Sequence, residues 1–248
     1  MPDLRSYCGH HGETDCSPIE LSPEESSHLV AANRARKGDP VTAFNGKGRE
    51  WECSLVDANK RKAILLPNST QLIPESSHRI ALAQSIPKGK TLEAIIRRAT
   101  EIGTAAIHPI IAERTEFKLP PQKRDTKENK WSNAAIEGGK QSGNPHLPHI
   151  DSPRTVFDFI DTEANSYETK LIACLREGCE SIKSAFTKLP APPKSAVILV
   201  GPEGDFSPQE TDAAIAAGFI PVTLGPHVLR CETAAVSCLS ILRHQLDS

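Results

Sequence analysis

Two hydrophobic rhythms run along the chain, and the change between them falls near residue 76. Before it the apolar stretches are short. Val41 to Phe44 leads into Asn45-Gly46, a hairpin signal. Glu50 to Val56 alternates polar and apolar residues, and Ala63 to Leu66 is a further short apolar run, so each is predicted as a strand. Leu21-Ser22-Pro23-Glu24-Glu25 reads as a helix start leading to His28-Leu29-Val30. Short strands separated by turn signals predict a small β-barrel over residues 1–76, with Pro74 to Ser77 as the linker.

After the linker the apolar runs lose their alternation. Ile80 to Ile86, Ala105 to Ala112, Leu171 to Leu175, Ala196 to Val200 and Phe219 to Gly225 read as strands buried on both faces. Between them the spacing turns helical. Leu92, Ile95, Ile96, Ala99 and Ile102 form one stripe, which Gly103 ends. Lys123 to Gln141, a short stretch near Ser181 to Lys188, and Cys231 to Gln245 are also predicted helices. Ser207-Pro208-Gln209-Glu210 combines a cap, a first-turn proline and a capping-box glutamate, and the helix it opens stops at Gly218. The alternation predicts an α/β domain over residues 77–248 with a mainly parallel sheet.

Two of these strands end in Gly-Pro, at Gly201-Pro202 and Gly225-Pro226, 24 residues apart. Either alone is ordinary turn punctuation. As a pair on neighbouring strands they would bring two tight loops side by side around one pocket, at the strand ends where α/β sheets collect ligands. Neither the P-loop nor the dinucleotide fingerprint is present, which disfavours a phosphate cradle and a dehydrogenase.

Composition narrows the partners. The net charge of −2 is not that of a strongly basic binder, yet residues 28–62 carry eight Lys/Arg against four Asp/Glu, and residues 88–130 carry ten against six. Such local excesses suit phosphate contacts or ordinary solvated faces. Aromatic residues are only 4%, so base stacking would rest on few side chains or on Arg. No secretory signal or membrane-length apolar run is read, and seven irregularly spaced cysteines are no disulfide framework; a reducing cytoplasmic setting fits. Cys8, His10, His11 and Cys16 lack the tight knuckle of structural zinc sites, so no metal is expected.

The segments GPEGDFSPQE and LGPHVLRCETAAVSCL resemble the RsmE family of 16S rRNA (uracil-N3) methyltransferases, of the SPOUT superfamily. Gly201, Pro202, Glu203, Gly204, Phe206 and Glu210 match the first family motif; Leu224, Gly225, Val228, Leu229, Arg230, Glu232, Thr233 and Ala234 match the second. Lys90 to Gly103 resembles the family's first long helix, Glu113-Arg114-Thr115 its E-R-[ST] segment, Trp131 its helical Trp, and Gln141-Ser142-Gly143 part of its E-Q-S-G-R loop. In the first module His28-Leu29, Arg34, Lys37-Gly38-Asp39 and Phe44-Asn45-Gly46 are similar to the family's PUA-like barrel. The chain departs from the pattern at Asp205 (usually Gly), Lys140 (Glu), Asn144 (Arg), Cys231 (Thr) and Ala32-Asn33-Arg34 (V-L-R).

The resemblance implies a trefoil-knotted methyltransferase domain beside a PUA-like RNA-binding barrel. It implies a homodimer, S-adenosylmethionine as cofactor, and 16S rRNA of the small ribosomal subunit as partner, methylated at a uridine near the decoding site. The cofactor would lie in the loops after Leu175, Val200 and Leu224, against Gly201, Pro202, Gly204, Gly225, Val228, Leu229 and Thr233. Arg34, Lys37, Arg114, Gln141 and Asn144 would face RNA, with a buried ion pair as the other reading of Arg114. Uracil N3 must lose a proton, which calls for a base or a cation. Arg230, Glu232 and Glu203 are the candidates. For Arg230 the other role is a phosphate anchor; for Glu232 it is a helix N-terminal residue favoured by the macrodipole; Thr233 could instead cap that helix. Competing readings are a ribose 2′-O methyltransferase, whose usual N-x-G-[AS]-x-x-R segment is not found, and a non-catalytic or retargeted RNA-binding assembly protein.

Overall fold

The computed structural model describes residues 4–12, 17–115 and 124–247. Its contacts divide the chain into two compact units, Met1–Glu75 with Ile136–Leu147, and Ser76–Ala135 with Pro148–Ser248. The return of 136–147 to the first unit has no counterpart in the hydrophobic pattern.

The first unit contains β1 (Arg5–Tyr7), β2 (Ile19–Glu20), α1 (Pro23–Ser27), β3 (Pro40–Phe44), β4 (Arg49–Asp57) and β5 (Ile64–Leu72). They form a five-stranded sheet in the order β1-β3-β4-β5-β2, antiparallel except for the β1–β3 pair. Strand β4 shows the expected alternation: Trp51, Cys53 and Leu55 are buried, while Glu52 is exposed. The Asn-Gly signal does turn the chain, over Asn45 to Gly48, where Asn45 Oδ1 accepts from Lys47 N at 2.8 Å and Arg49 N at 3.1 Å. Strand β5 runs on past Leu66 through polar, exposed residues, which apolar periodicity could not mark. β1 and β2, which were not predicted, flank the segment from Cys8 to Cys16. There Cys8 lies in the core, its thiol bonded to Phe44 O and pushed up to about 12 by burial. His10 Nε2 meets Glu20 O at 2.9 Å, His11 stands edge-on to Trp51, and Cys16 lies outside the described residues.

The second unit holds β6 (Arg79–Ser85), α2 (Thr91–Glu101), β7 (Ala106–Ile111), the first part of α3 (Arg124–Ser142), β8 (His149–Ile150), β9 (Arg154–Thr155) and α4 (Val156–Thr162). It continues with β10 (Thr169–Ala173), β11 (Glu180–Ser181), α5 (Ile182–Thr187), β12 (Ser195–Val200), α6 (Pro208–Ala216), β13 (Ile220–Thr223) and α7 (Cys231–Leu246). The sheet runs β11-β13-β10-β12-β6-β7-β8, with β9 also on β7, and every pairing is parallel. Central strands β6 and β12 are buried almost throughout, in keeping with the apolar runs Ile80 to Ala83 and Ala196 to Val200, and β6 also buries Gln84 and Ser85.

One expectation is corrected. The strands ending in the two Gly-Pro turns are not neighbours: β10 lies between them, pairing with β12 on one side and β13 on the other. After β12 the chain crosses through α6 and passes beyond β10, a crossover that periodicity along the sequence does not encode. Helix α4 was also not predicted, although Thr155 and Asp158 form a full capping box in front of its apolar face.

A buried polar network braces the β7 side. His108, 3% exposed, bonds through Nδ1 to Asp151 Oδ2 at 2.6 Å and through Nε2 to Tyr167 Oη at 2.8 Å. Burial holds its imidazole below the ordinary value, against the opposing pull of Asp151. The unfolded chain takes up this proton near pH ~6.5, the folded chain only at lower pH. As pH falls through that window the unfolded state binds more protons, and stability declines. Thermal denaturation from pH 7.5 to 5 is expected to show this loss, and His108→Gln, which bonds both partners but does not titrate, to reduce it.

Candidate active site

From β10 the chain goes out to edge strand β11, returns inward to β12 and then goes outward again to β13, so the ends of the adjacent strands β13, β10 and β12 and their loops converge where its direction across the sheet reverses. A cavity of about 500 Å³ opens there. Ala173 and Cys174 lie at the end of β10, Val200 and Gly201 at that of β12, and Val222 to Gly225 at that of β13; the N-cap and first turn of α7 supply Arg230, Cys231, Glu232 and Ala234. Volume and setting are those of a small-molecule site.

The Gly-Pro loop after β12 is shaped by two residues that avoid steric conflict in different ways. A Cβ on Gly201 would meet Asp205 Oδ1 at 3.1 Å and Phe206 at 3.4 Å, so a side chain there would press on the loop's own residues. Asp205 has φ of +58°, in the left-handed region where Gly is usual and Asp or Asn is tolerated. Its Oδ1 accepts from Phe206 N at 2.8 Å, and its own N–H donates to Pro202 O at 3.0 Å. The carboxylate thus stabilises the turn in which glycine would ordinarily stand. In the opposite loop Gly225 has φ of +115°, again a conformation that side chains resist.

Charge in the cavity is predominantly acidic. Glu203, Asp205 and Glu232 line it, against the single guanidinium of Arg230. Burial, a hydrogen bond from the Cys231 thiol to Glu232, and the charges of Glu203 and Glu232 together push that thiol up to about 11. Arg230 is the N-cap of α7 and exposed, with no side-chain capping bond.

Most residues singled out from the sequence meet here. Leu175, Val200, Gly201, Pro202, Leu224 and Gly225 line the cavity, as do Val228, Leu229 and the three candidate catalytic groups, Glu203, Arg230 and Glu232. Two do not. Gly204 turns its carbonyl to Arg114, whose Nη1 donates to it at 3.0 Å. Thr233 lies on the exposed side of α7, and the cap of that helix is Arg230, so Thr233 neither caps nor lines. Thr91, Cys174 and His227 also line the cavity. They were missed because none is a matched position of the two Gly-Pro motifs: His227 falls at an unspecified position of the second, and Thr91 and Cys174 lie outside both.

Of the residues expected to face RNA, Arg114 belongs to the second unit, exposed beside the Gly-Pro loop, so it is no buried ion-pair member. The rest belong to the first unit. Arg34 and Lys37 are exposed, Arg34 with φ of +58°. Gln141 lines a small polar cavity with Arg5, His28, Asn33, Glu137 and Lys140. Lys140, one of the departures, is paired with Glu25 at 2.7 Å. Asn144, another, accepts from His146 N at 3.0 Å and shapes its own turn.

Comparison with known proteins agrees with this geometry. Residues 74–243 match the model of an RNA methyltransferase domain, and residues 21–67 that of an RNA methyltransferase PUA domain. The ribosomal RNA small subunit methyltransferase E of Synechocystis is 32% identical over 93% of this chain and 74% of its own length. Its counterpart in Aquifex aeolicus is 35% identical over 79% of this chain and 82% of its own. Among solved structures, a Legionella pneumophila protein described as a methyltransferase with its cofactor SAM bound superposes with a TM-score of 0.89, at 31% identity over 98% of both chains. The methyltransferase E of Neisseria gonorrhoeae, bound to S-adenosyl methionine, gives 0.85 at 26% identity, over 98% of this chain and 97% of its own.

The conformation of Asp205 yields a direct test. Asp205→Ala keeps the left-handed backbone but loses both tolerance and acceptor, and is expected to destabilise by about 1–2 kcal/mol. Asp205→Asn retains both and should stay within ~0.5 kcal/mol of the parent in urea denaturation.

Proposed function

The chain belongs to the RsmE family of small-subunit ribosomal RNA methyltransferases, and we propose that its acidic cavity binds S-adenosylmethionine for methylation of uracil N3 in 16S rRNA. The observation that carries this reading is the convergence of both Gly-Pro loops and the α7 N-terminus on one cavity. The residues fit the cofactor. Gly201 presents bare main chain to the cavity, Val200, Leu224 and Leu229 give apolar walls, and three carboxylates favour a cationic sulfonium. Bound there, S-adenosylmethionine supplies an activated methyl group, so the protein's part is mainly orientation.

Main-chain groups at Gly201, Leu224, Gly225 and Leu229 would hold the adenosine end of the donor. Arg230 stands at the cavity wall, where its guanidinium stabilises negative charge developing on the uracil as N3 loses its proton. Glu232, half-buried two residues further on, accepts that proton, with Glu203 as the second acceptor in the same cavity. The acidic wall serves both tasks: it favours the positive methyl donor and offers bases for an imide proton.

The wider reading follows from the same features. The PUA domain of the first unit engages 16S rRNA through Arg34, Lys37 and Gln141, and Arg114 makes a further contact from the second unit. Leu175 and Val228, 64% and 76% exposed, give the cavity mouth an apolar rim that a second copy of the chain would cover in a homodimer. Helix α7 follows β13 near one edge of the sheet yet packs on central β6 and β12, a path in keeping with a trefoil knot. Among the described residues no helix is long and apolar enough to cross a membrane. The working location is the cytoplasm, beside the ribosome.

The test is methylation of small ribosomal subunits lacking the modification, read by mass spectrometry of nuclease fragments. One new N3-methyluridine near the decoding site is expected. Arg230→Ala should lower kcat by roughly 100-fold or more, in the range for removing a group that stabilises developing charge. Its S-adenosylmethionine affinity should change little. Methylation at a ribose or another base would redirect the substrate assignment, and donor binding without any methylation would identify a silent relative.

A further inference from the structure

The loop from Gly201 to Ser207 forms one wall of the cavity and is held from outside by a turn belonging to another strand. That turn, residues 112–115, follows β7 and is closed by a bond from Thr115 N to Ala112 O at 2.9 Å. Thr115 Oγ1 fastens it to the end of β6, bonding Ser85 Oγ at 2.9 Å, and also accepts from Ala112 N at 3.1 Å. Two bonds then cross to the cavity loop. Arg114 reaches Gly204 O, and Glu113 N donates to Glu210 Oε1 at 2.8 Å.

Glu210 is 3% exposed, and its second oxygen is also engaged: Oε2 accepts from Ser207 N at 2.9 Å in the capping box of α6. One carboxylate therefore joins the start of α6 to the turn after β7. A capping box alone accepts Gln as readily as Glu. The double role does not, because an amide offers one acceptor and presents a donor to the other N–H.

We propose that Glu210, which is not among the residues lining the cavity, is a positioning residue for methyl transfer: by bonding Ser207 N and Glu113 N together it holds the Gly201–Ser207 loop in its donor-binding shape. This rests on the reading that the cavity binds S-adenosylmethionine. The residues it positions are Gly201, Pro202, Glu203 and Asp205, all in the wall.

Glu210→Gln keeps the helix cap and breaks only the tie to residue 113. Glu113→Pro is the complementary change: it removes the N–H at the second position of a β-turn, where proline is favoured, and leaves α6 untouched. Each variant is expected to raise the Kd and KM for S-adenosylmethionine about tenfold, the scale of a hydrogen bond to a charged group. The KM for ribosomal subunits should stay within about twofold, as that bond does not touch RNA. The double variant should be no worse than either single one, because both remove the same bond. Hydrogen exchange should show faster exchange of the Glu113 amide in Glu210→Gln.

Normal donor affinity in either folded variant, with only a lower Tm, would overturn the proposal and leave Glu210 a simple cap. Should Glu210→Gln fail to fold, Glu113→Pro decides by itself. A parent protein that does not bind S-adenosylmethionine would overturn the reading of the cavity and this role with it, whereas a parent that binds it and variants that bind it equally well overturn only the role.

Discussion

In an all-parallel sheet each strand must be followed by a crossover before the next can pair, so all strands finish on the same edge. The eight-stranded sheet obeys this without exception. Everything that matters for the site follows from it. The loops after β10, β12 and β13 emerge together, and the β12-to-β13 crossover past β10 leaves a crevice between them. Helix α7 begins where that crevice needs a fourth wall. The residues there come from parts of the chain as distant as Thr91 and Ala234.

Within that frame the cavity loops keep their shape by backbone means. Gly201 gives space, Gly225 gives a conformation, and Asp205 occupies a left-handed position by bonding the next amide. The last case shows how a departure from a family pattern can preserve its purpose. Asparagine and aspartate visit this region because a short polar side chain can satisfy the local backbone. The substitution adds a carboxylate to a wall already lined by Glu203 and Glu232 and leaves the turn intact. Lys140 makes a comparable change in the first unit, where it is paired with Glu25.

Glu210 and His108 show two uses of buried polar groups. Both are almost wholly enclosed, and both are bonded at each polar atom, as burial demands. His108 joins β7 to Asp151 and Tyr167 and stiffens one side of the sheet. Glu210 joins two loops at its functional edge. The first is a matter of stability; the second ties a wall of the cavity to the end of β6 through Thr115 and Ser85.

Local grammar was legible in the sequence because its causes are local. The capping box of α6, the α2 stripe ending at Gly103, the Asn45-Gly46 turn and the buried runs of β6 and β12 depend on neighbours a few residues away. The motif residues led to the cavity for the same reason: tight turns at strand ends need Gly and Pro wherever the strands lie. Tertiary structure alone decided which strands are neighbours, so β10 came between two strands that looked adjacent, and residues 136–147 joined the first unit. It also decided that Gly204 and Thr233 turn away while Thr91, Cys174 and His227 turn in. The physical reason is that strand order and side-chain convergence are set by crossovers and long-range packing, whose partners lie dozens of residues apart and leave no period in the chain.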